Sequence, residues 1–351
     1  FMSTRIQHGL RDSGIGRFVV NTMTYLSGFF QLAFTKTSYL RHFLRPSPHQ
    51  QTAKYGPHGS HILEVFPCEH KLGKDAPVLA FVHGGAWGSG HPYMYRLLGV
   101  RLAMEGFHCV LIGYRTYPCA DICGQIDDVQ EALKYMYANL AKGTLSVLGK
   151  NSPIYLSGHS SGAHVATHTM LKRSTALPFI QGVIGLAGPY HLRSQYLCEQ
   201  AKGVHEMSPL KAANRGESKF DEHSPSLILE KLDGKTIRKL PRFMLLHGQS
   251  DATVPPAQSE RMAEAAAKSG VRCRMEILEG VTHAGIVTDL FDLERKFGYL
   301  ETIKRFCGAC VATVAGQEEK QPMIQLQQGK EQTYRQAESK KKTSRDGAIR
   351  K

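Results

Sequence analysis

The sequence predicts an α/β protein, a mostly parallel sheet with helices on both faces and an insertion over the carboxyl ends of its strands. Three observations predict it. Short runs of β-branched and apolar residues recur from about residue 60 to residue 280. Stretches with apolar residues at helical spacing separate many of them, and several runs end in glycine-rich turns. Strands that are apolar on both faces and alternate with amphipathic helices are those of a parallel sheet covered on both sides.

The elements follow in order. HILEVF (61–66) and PVLAFVHG (77–84) read as strands, and HCVLIGY (108–114) as a third. Ile122, Ile126, Val129, Leu133, Met136 and Leu140 then recur at steps of three and four, which makes one apolar helix face. PIYLSG (153–158), FIQGVIGLAG (179–188), PRFMLLHG (241–248) and RCRMEILEG (272–280) complete the strands. Residues 190–240 break this rhythm with polar, mixed sequence and read as the insertion. Beyond residue 311 Gln, Lys and Glu dominate and apolar periodicity ends, as expected of a disordered basic tail. The division expected is therefore an N-terminal segment (1–59), a folded body (60–310) and a tail (311–351).

Within the first segment, residues 18–34 (FVVNTMTYLSGFFQLAF) carry no charge and lie between Arg17 and Lys36. That is near the minimum length for a membrane span, and its Asn, Thr, Ser and Gln residues weaken it. It reads as a membrane-associated helix, spanning or interfacial, with a helix covering the core as the alternative. No small-x-small cleavage site follows it.

The formal charge of +14 first points to nucleic acid or an anionic surface. Its distribution argues against nucleic acid, because residues 1–60 hold +6 and residues 312–351 hold +4, leaving only +4 on the body. The 8 cysteines have no regular spacing, and Cys307-Gly-Ala-Cys310 lacks the second ligand pair of a zinc site. None of Asn21, Asn139, Asn151 and Asn214 begins a glycosylation sequon. Free thiols without sequons fit a catalytic body facing the cytosol, either on an endomembrane or in the cytoplasm.

The chemistry is expected at the carboxyl ends of the strands. Gly158-His159-Ser160-Ser161-Gly162 stands between a strand and a helix, where Gly-x-Ser-x-Gly holds a nucleophilic serine on a strained turn. The bland alternative is a serine in a glycine-rich loop. His83-Gly84-Gly85-Ala86-Trp87 ends an earlier strand. Its glycines let backbone N–H groups converge on a developing oxyanion, together with the N–H after the nucleophile. Gly84, Gly85 and Ser161 are assigned that role, with Ala86 able to replace one glycine; His83, Trp87, Gly158 and Gly162 support it. A phosphate-binding loop is excluded because no Gly-Lys-Ser/Thr follows.

A serine needs a base, and the base an orienting acid. Asp251 lies just beyond one strand and His283 just beyond the next, giving the order Ser160, Asp251, His283. His159, His164 and His168 lie too near Ser160 in sequence to reach its hydroxyl, and His247 precedes the acid.

With these motifs in place, FVHGGAWGSG, GYRTYP, IYLSGHSSGAHVA, LLHGQSDATVP and GVTHAG resemble the prenylcysteine methylesterases. These form a branch of the α/β-hydrolases close to kynurenine formamidase and the hormone-sensitive-lipase-like esterases. The likeness runs from about residue 60 to residue 307, with Ser161 where relatives usually carry Ala. The resemblance implies the α/β-hydrolase fold, no metal or organic cofactor, and hydrolysis of the methyl ester of a prenylated cysteine. Kynurenine formamidase activity, general carboxylesterase activity and a non-enzymatic binding role are the alternatives.

Overall fold

Among the described residues, eight strands form one sheet. They are β1 (Gln51–Lys54), β2 (Ile62–Phe66), β3 (Val78–Val82), β4 (His108–Ile112), β5 (Ile154–His159), β6 (Ile180–Leu186), β7 (Arg242–Gly248) and β8 (Cys273–Leu278). This is a computed structural model, and it describes residues 50–69, 73–142, 148–149, 151–291 and 298–309. All of these lie in the first of two units into which the chain divides, residues 1–311 and 312–351. The 18–34 segment and the tail lie outside the described residues.

In space the order is β1-β2-β4-β3-β5-β6-β7-β8. β2 pairs antiparallel with both β1 and β4, and every other pairing is parallel. The two strands joined by antiparallel pairing sit at one edge, where a short connection suffices. The parallel strands need crossovers, and helices supply them.

The strand side chains alternate between two layers, as period-2 geometry requires. On β3, Val78, Ala80 and Val82 point into one layer and Leu79 and Phe81 into the other. The second layer is covered by α1 (Arg96–Met104), and the first by α2 (Ile122–Lys142) and α3 (Ser161–Arg173). The apolar stripe foreseen on α2 is the buried one, with Ile122, Val129, Leu133 and Met136 fully enclosed. Its first turn is capped by Asp121, whose Oδ1 accepts the N–H groups of Cys123 and Gly124 at 3.0 and 3.1 Å.

Between β6 and β7 the chain forms α4 (Leu192–Ala201), α5 (Leu210–Ala213), α6 (Pro225–Glu230) and α7 (Gly234–Ile237). This is the region read as an insertion. Buried polar side chains fasten it to the body. Gln258 on α8 (Ala257–Lys268) accepts the N–H groups of Tyr190 and His191 at 2.9 and 2.7 Å. Ser226 donates its hydroxyl to the Tyr190 carbonyl at 3.0 Å. The last elements among the described residues are α9 (Gly285–Thr288) and α10 (Gly298–Cys307), which pack into the same layer as α1. Among the described residues no helix is long and apolar enough to cross a membrane.

Leu156, on central β5, is fully buried in the layer shared with α2 and α3. Leu156→Ala should lower the unfolding free energy by about 2–5 kcal/mol, read by urea titration. A loss below about 1 kcal/mol would contradict this packing.

Candidate active site

Ser160 is the one residue between β5 and α3, and its backbone sits at φ 54°, ψ −127°. A non-glycine residue there costs about 1–3 kcal/mol and persists only where the surroundings enforce it. They do so here. A Cβ on Gly158 would lie 2.4 Å from the Gly162 carbonyl oxygen, and one on Gly162 would lie 2.3 Å from that of Val82. The Ser160 N–H donates to the Leu186 carbonyl at 2.9 Å, and its own carbonyl accepts from Ala163 at 2.9 Å.

Two loops at the same sheet end reach this turn. The turn after β7 carries Asp251, and the turn after β8 carries His283. His283 Nδ1 lies 2.7 Å from Asp251 Oδ2, and its Nε2 lies 2.9 Å from Ser160 Oγ. A carboxylate only accepts, so Nδ1 holds the proton and Nε2 is free to accept the Ser160 hydroxyl. Thus the structure brings Ser160, Asp251 and His283 into one hydrogen-bonded line.

Asp251 is anchored from its other side as well. Its Oδ1 accepts the N–H groups of Thr253 and Val254, each at 2.8 Å. His247 Nε2 lies 3.2 Å from Oδ2 while donating to the Val254 carbonyl at 2.8 Å. Burial by itself would raise the Asp251 pKa. Hydrogen bonds from His247, His283 and the backbone outweigh it and hold the carboxyl well below the usual carboxylate range.

The loop after β3 carries the expected N–H donors, with one change of register. The Gly84 N–H donates to Tyr95 Oη at 3.1 Å and is therefore engaged. Among the described residues, the N–H groups of Gly85, Ala86 and Ser161 make no backbone or side-chain hydrogen bond. The pair on this loop available to a ligand is thus Gly85 and Ala86, in place of Gly84 and Gly85. Gly85 has φ +136°, and a Cβ there would lie 2.2 Å from the Ser89 carbonyl oxygen. Ala86 and Trp87 also have positive φ, 51° and 61°. His83 supports the loop from below, stacking on Tyr114 at 4.4 Å, while Tyr114 donates its hydroxyl to the His83 carbonyl at 2.8 Å.

His159, set aside in the sequence as too near Ser160 to act as its base, connects two of these loops. Its Nε2 lies 2.9 Å from the His283 carbonyl oxygen, so it donates there. Its Nδ1 then faces the Tyr95 hydroxyl at 3.4 Å, and that same oxygen accepts the Gly84 N–H. The period of β5 already put residue 159 on the face of Tyr155, but nothing in the sequence named Tyr95 or the His283 carbonyl as partners. Beside it is an apolar recess of about 20 Å³ bounded by Met94, Tyr95, Val287 and Phe291. It has room for about one water molecule. Among the described residues no cluster of three metal-ligating side chains occurs, and Cys310 lies outside them.

Burial lowers the pKa of His83 to about 4 and those of His159 and His164 to about 3. Unfolding restores the ordinary value near 6.5. The unfolded chain therefore takes up protons that the folded chain refuses once pH falls below about 6.5, so stability is full above that value and declines toward pH 3–4. The urea midpoint should be lower at pH 5 than at pH 7.5, and His159→Gln should weaken that dependence. A midpoint unchanged between the two pH values would contradict neutral burial.

The chain is similar to several known proteins. The family model BD-FAE matches residues 63–266. A probable isoprenylcysteine alpha-carbonyl methylesterase of Oryza sativa subsp. japonica is 30% identical over 68% of this chain and 57% of its own. A kynurenine formamidase of Drosophila melanogaster is 21% identical over 67% of this chain and 75% of its own. The chain spans between half and about three fifths of the length of the plant methylesterases it matches. An inhibited esterase B from Lactobacillus rhamnosis superposes with a TM-score of 0.60 at 19% identity, covering 82% of this chain and 96% of the other. With that fold, and with more than half its length matched, the chain belongs to the BD-FAE family of α/β-hydrolases.

Proposed function

We propose that the chain is a serine carboxylic-ester hydrolase acting on prenylcysteine methyl esters. The observation that carries this reading is the line Asp251–His283–Ser160 beside the unpartnered N–H groups of Gly85, Ala86 and Ser161. His283 Nε2 takes the Ser160 proton as Oγ attacks the ester carbonyl. The carbonyl oxygen becomes an oxyanion and accepts the three N–H groups, which are preorganised and need not turn toward it. Collapse expels methanol, which takes the proton from His283 Nε2, and leaves the acyl group on Ser160. A water that gives its proton to His283 then attacks the acyl carbon, and the free carboxylic acid leaves as Oγ is reprotonated. Asp251 keeps the imidazole in one tautomer and stabilises its charge in both steps.

The substrate class rests on the resemblance to prenylcysteine methylesterases and on the plant relatives of that name. The recess beside His159, at about 20 Å³, is too small to house a prenyl chain. That chain would lie against the insertion, residues 190–240, and against the N-terminal segment, whose uncharged stretch 18–34 with basic flanks would also bring the enzyme to membrane-held substrates. The division into N-terminal segment, catalytic body and tail is part of the same reading.

Ser160→Ala should abolish labelling by a fluorophosphonate probe and lower kcat by about 10⁴-fold or more. An unlabelled wild type would overturn the serine mechanism. Farnesylcysteine methyl ester should show a higher kcat/KM than N-formylkynurenine or p-nitrophenyl acetate; preference for N-formylkynurenine would favour the formamidase alternative. Removing residues 1–40 should reduce turnover of the farnesylated ester more than that of p-nitrophenyl acetate, and equal losses would exclude a prenyl-binding role for that segment.

A further inference from the structure

Trp87 and Ala86 hold backbone angles that L-residues rarely adopt, so something outside the loop must fix them. The carbonyl of Trp87 accepts the Tyr117 N–H at 2.8 Å and the Gln125 side-chain amide at 2.9 Å. Its indole is buried and donates Nε1–H to His164 Nδ1 at 3.0 Å. Indole is a donor only, so His164 must present a lone pair at Nδ1 and carry its proton on Nε2. That Nε2–H donates to the His223 carbonyl at 2.7 Å. His164 is fully buried on α3, four residues after Ser160, and His223 precedes α6 in the region between β6 and β7.

We infer that His164 is a positioning residue: it clamps the Gly85–Trp87 loop to the helix that follows Ser160 and to the 187–241 region above them. This rests on the ester-hydrolase reading, because its consequence is the placement of the Gly85 and Ala86 N–H groups against an oxyanion. The imidazole matches both neighbours at once, accepting on one side and donating on the other. Leucine does neither; the amide of glutamine can do both. Burial holds the ring neutral, its pKa lowered to about 3, so the donor–acceptor pattern does not change across the working pH range.

Trp87 is the only tryptophan in the chain, so its fluorescence reports this contact directly. The test compares wild type, His164→Leu, His164→Gln and Trp87→Phe, with p-nitrophenyl acetate turnover, fluorophosphonate labelling and tryptophan emission as readouts. His164→Leu should shift the emission and lower kcat about tenfold or more with little change in KM, since donors to an oxyanion act in the transition state. His164→Gln should restore most of both. Trp87→Phe, which removes only the N–H and part of the ring, should reproduce the kcat loss and serves if His164→Leu does not fold. An active, folded His164→Leu with wild-type kcat, or equal losses in the Leu and Gln variants, would overturn the clamp. A wild type that is neither labelled nor active would overturn the ester-hydrolase reading, and an emission unchanged in His164→Leu would then still overturn the clamp.

Discussion

The whole arrangement depends on one crowded junction, where β5 turns into α3 within a single residue. Ser160 is held at a positive φ because the chain has no room to relax: Gly158 meets Gly162 on one side, and Gly162 meets the end of β3 on the other. That crowding brings the ends of β3 and β5 together, and with them the loop carrying Gly85 and Ala86. The strain at Ser160 is small beside the burial of the two layers, where each enclosed Leu, Val or Phe contributes about 1.5–3 kcal/mol. Packing therefore imposes the backbone geometry, and the geometry aims the Ser160 hydroxyl at His283 at the rim of the sheet.

Around this junction, three loops that are distant in sequence are joined by polar groups whose roles are fixed by their partners. Asp251 is held by backbone amides and by two imidazoles, so its charge is set before any substrate arrives. His159 joins the His283 backbone to Tyr95, and Tyr95 joins the loop after β3. Burial keeps His83 and His159 neutral. They act through the direction of their hydrogen bonds.

The strands and the Ser160, Asp251 and His283 placements were legible because each leaves a local trace. Apolar runs of strand length, a glycine-bracketed serine and two polar turns beyond strands can all be read from neighbours in the chain. β1 was not foreseen, since Gln51-Thr-Ala-Lys54 has no apolar alternation and pairs only at the sheet edge. The engagement of Gly84 was equally hidden, because it depends on a tyrosine 11 residues away whose hydroxyl is brought there by packing. The same holds for Gln258, which fastens the insertion from 67–68 residues downstream. Periodicity names the face of a side chain; it does not name what stands opposite.

The region between β6 and β7 leaves from one strand and returns to its immediate neighbour in the sheet. Such a crossover can lengthen, shorten or change its apolar lining while the register of Gly182–Leu186 against Arg242–Leu246 stays as it is. It is held to the body at particular points, among them Gln258, Ser226, Gln195 and the His164–His223 bond. Divergence among descendants of this scaffold is therefore expected in the stretches between those anchors, while the anchors themselves, His223 above all, stay tied to the loop after β3 through His164 and Trp87.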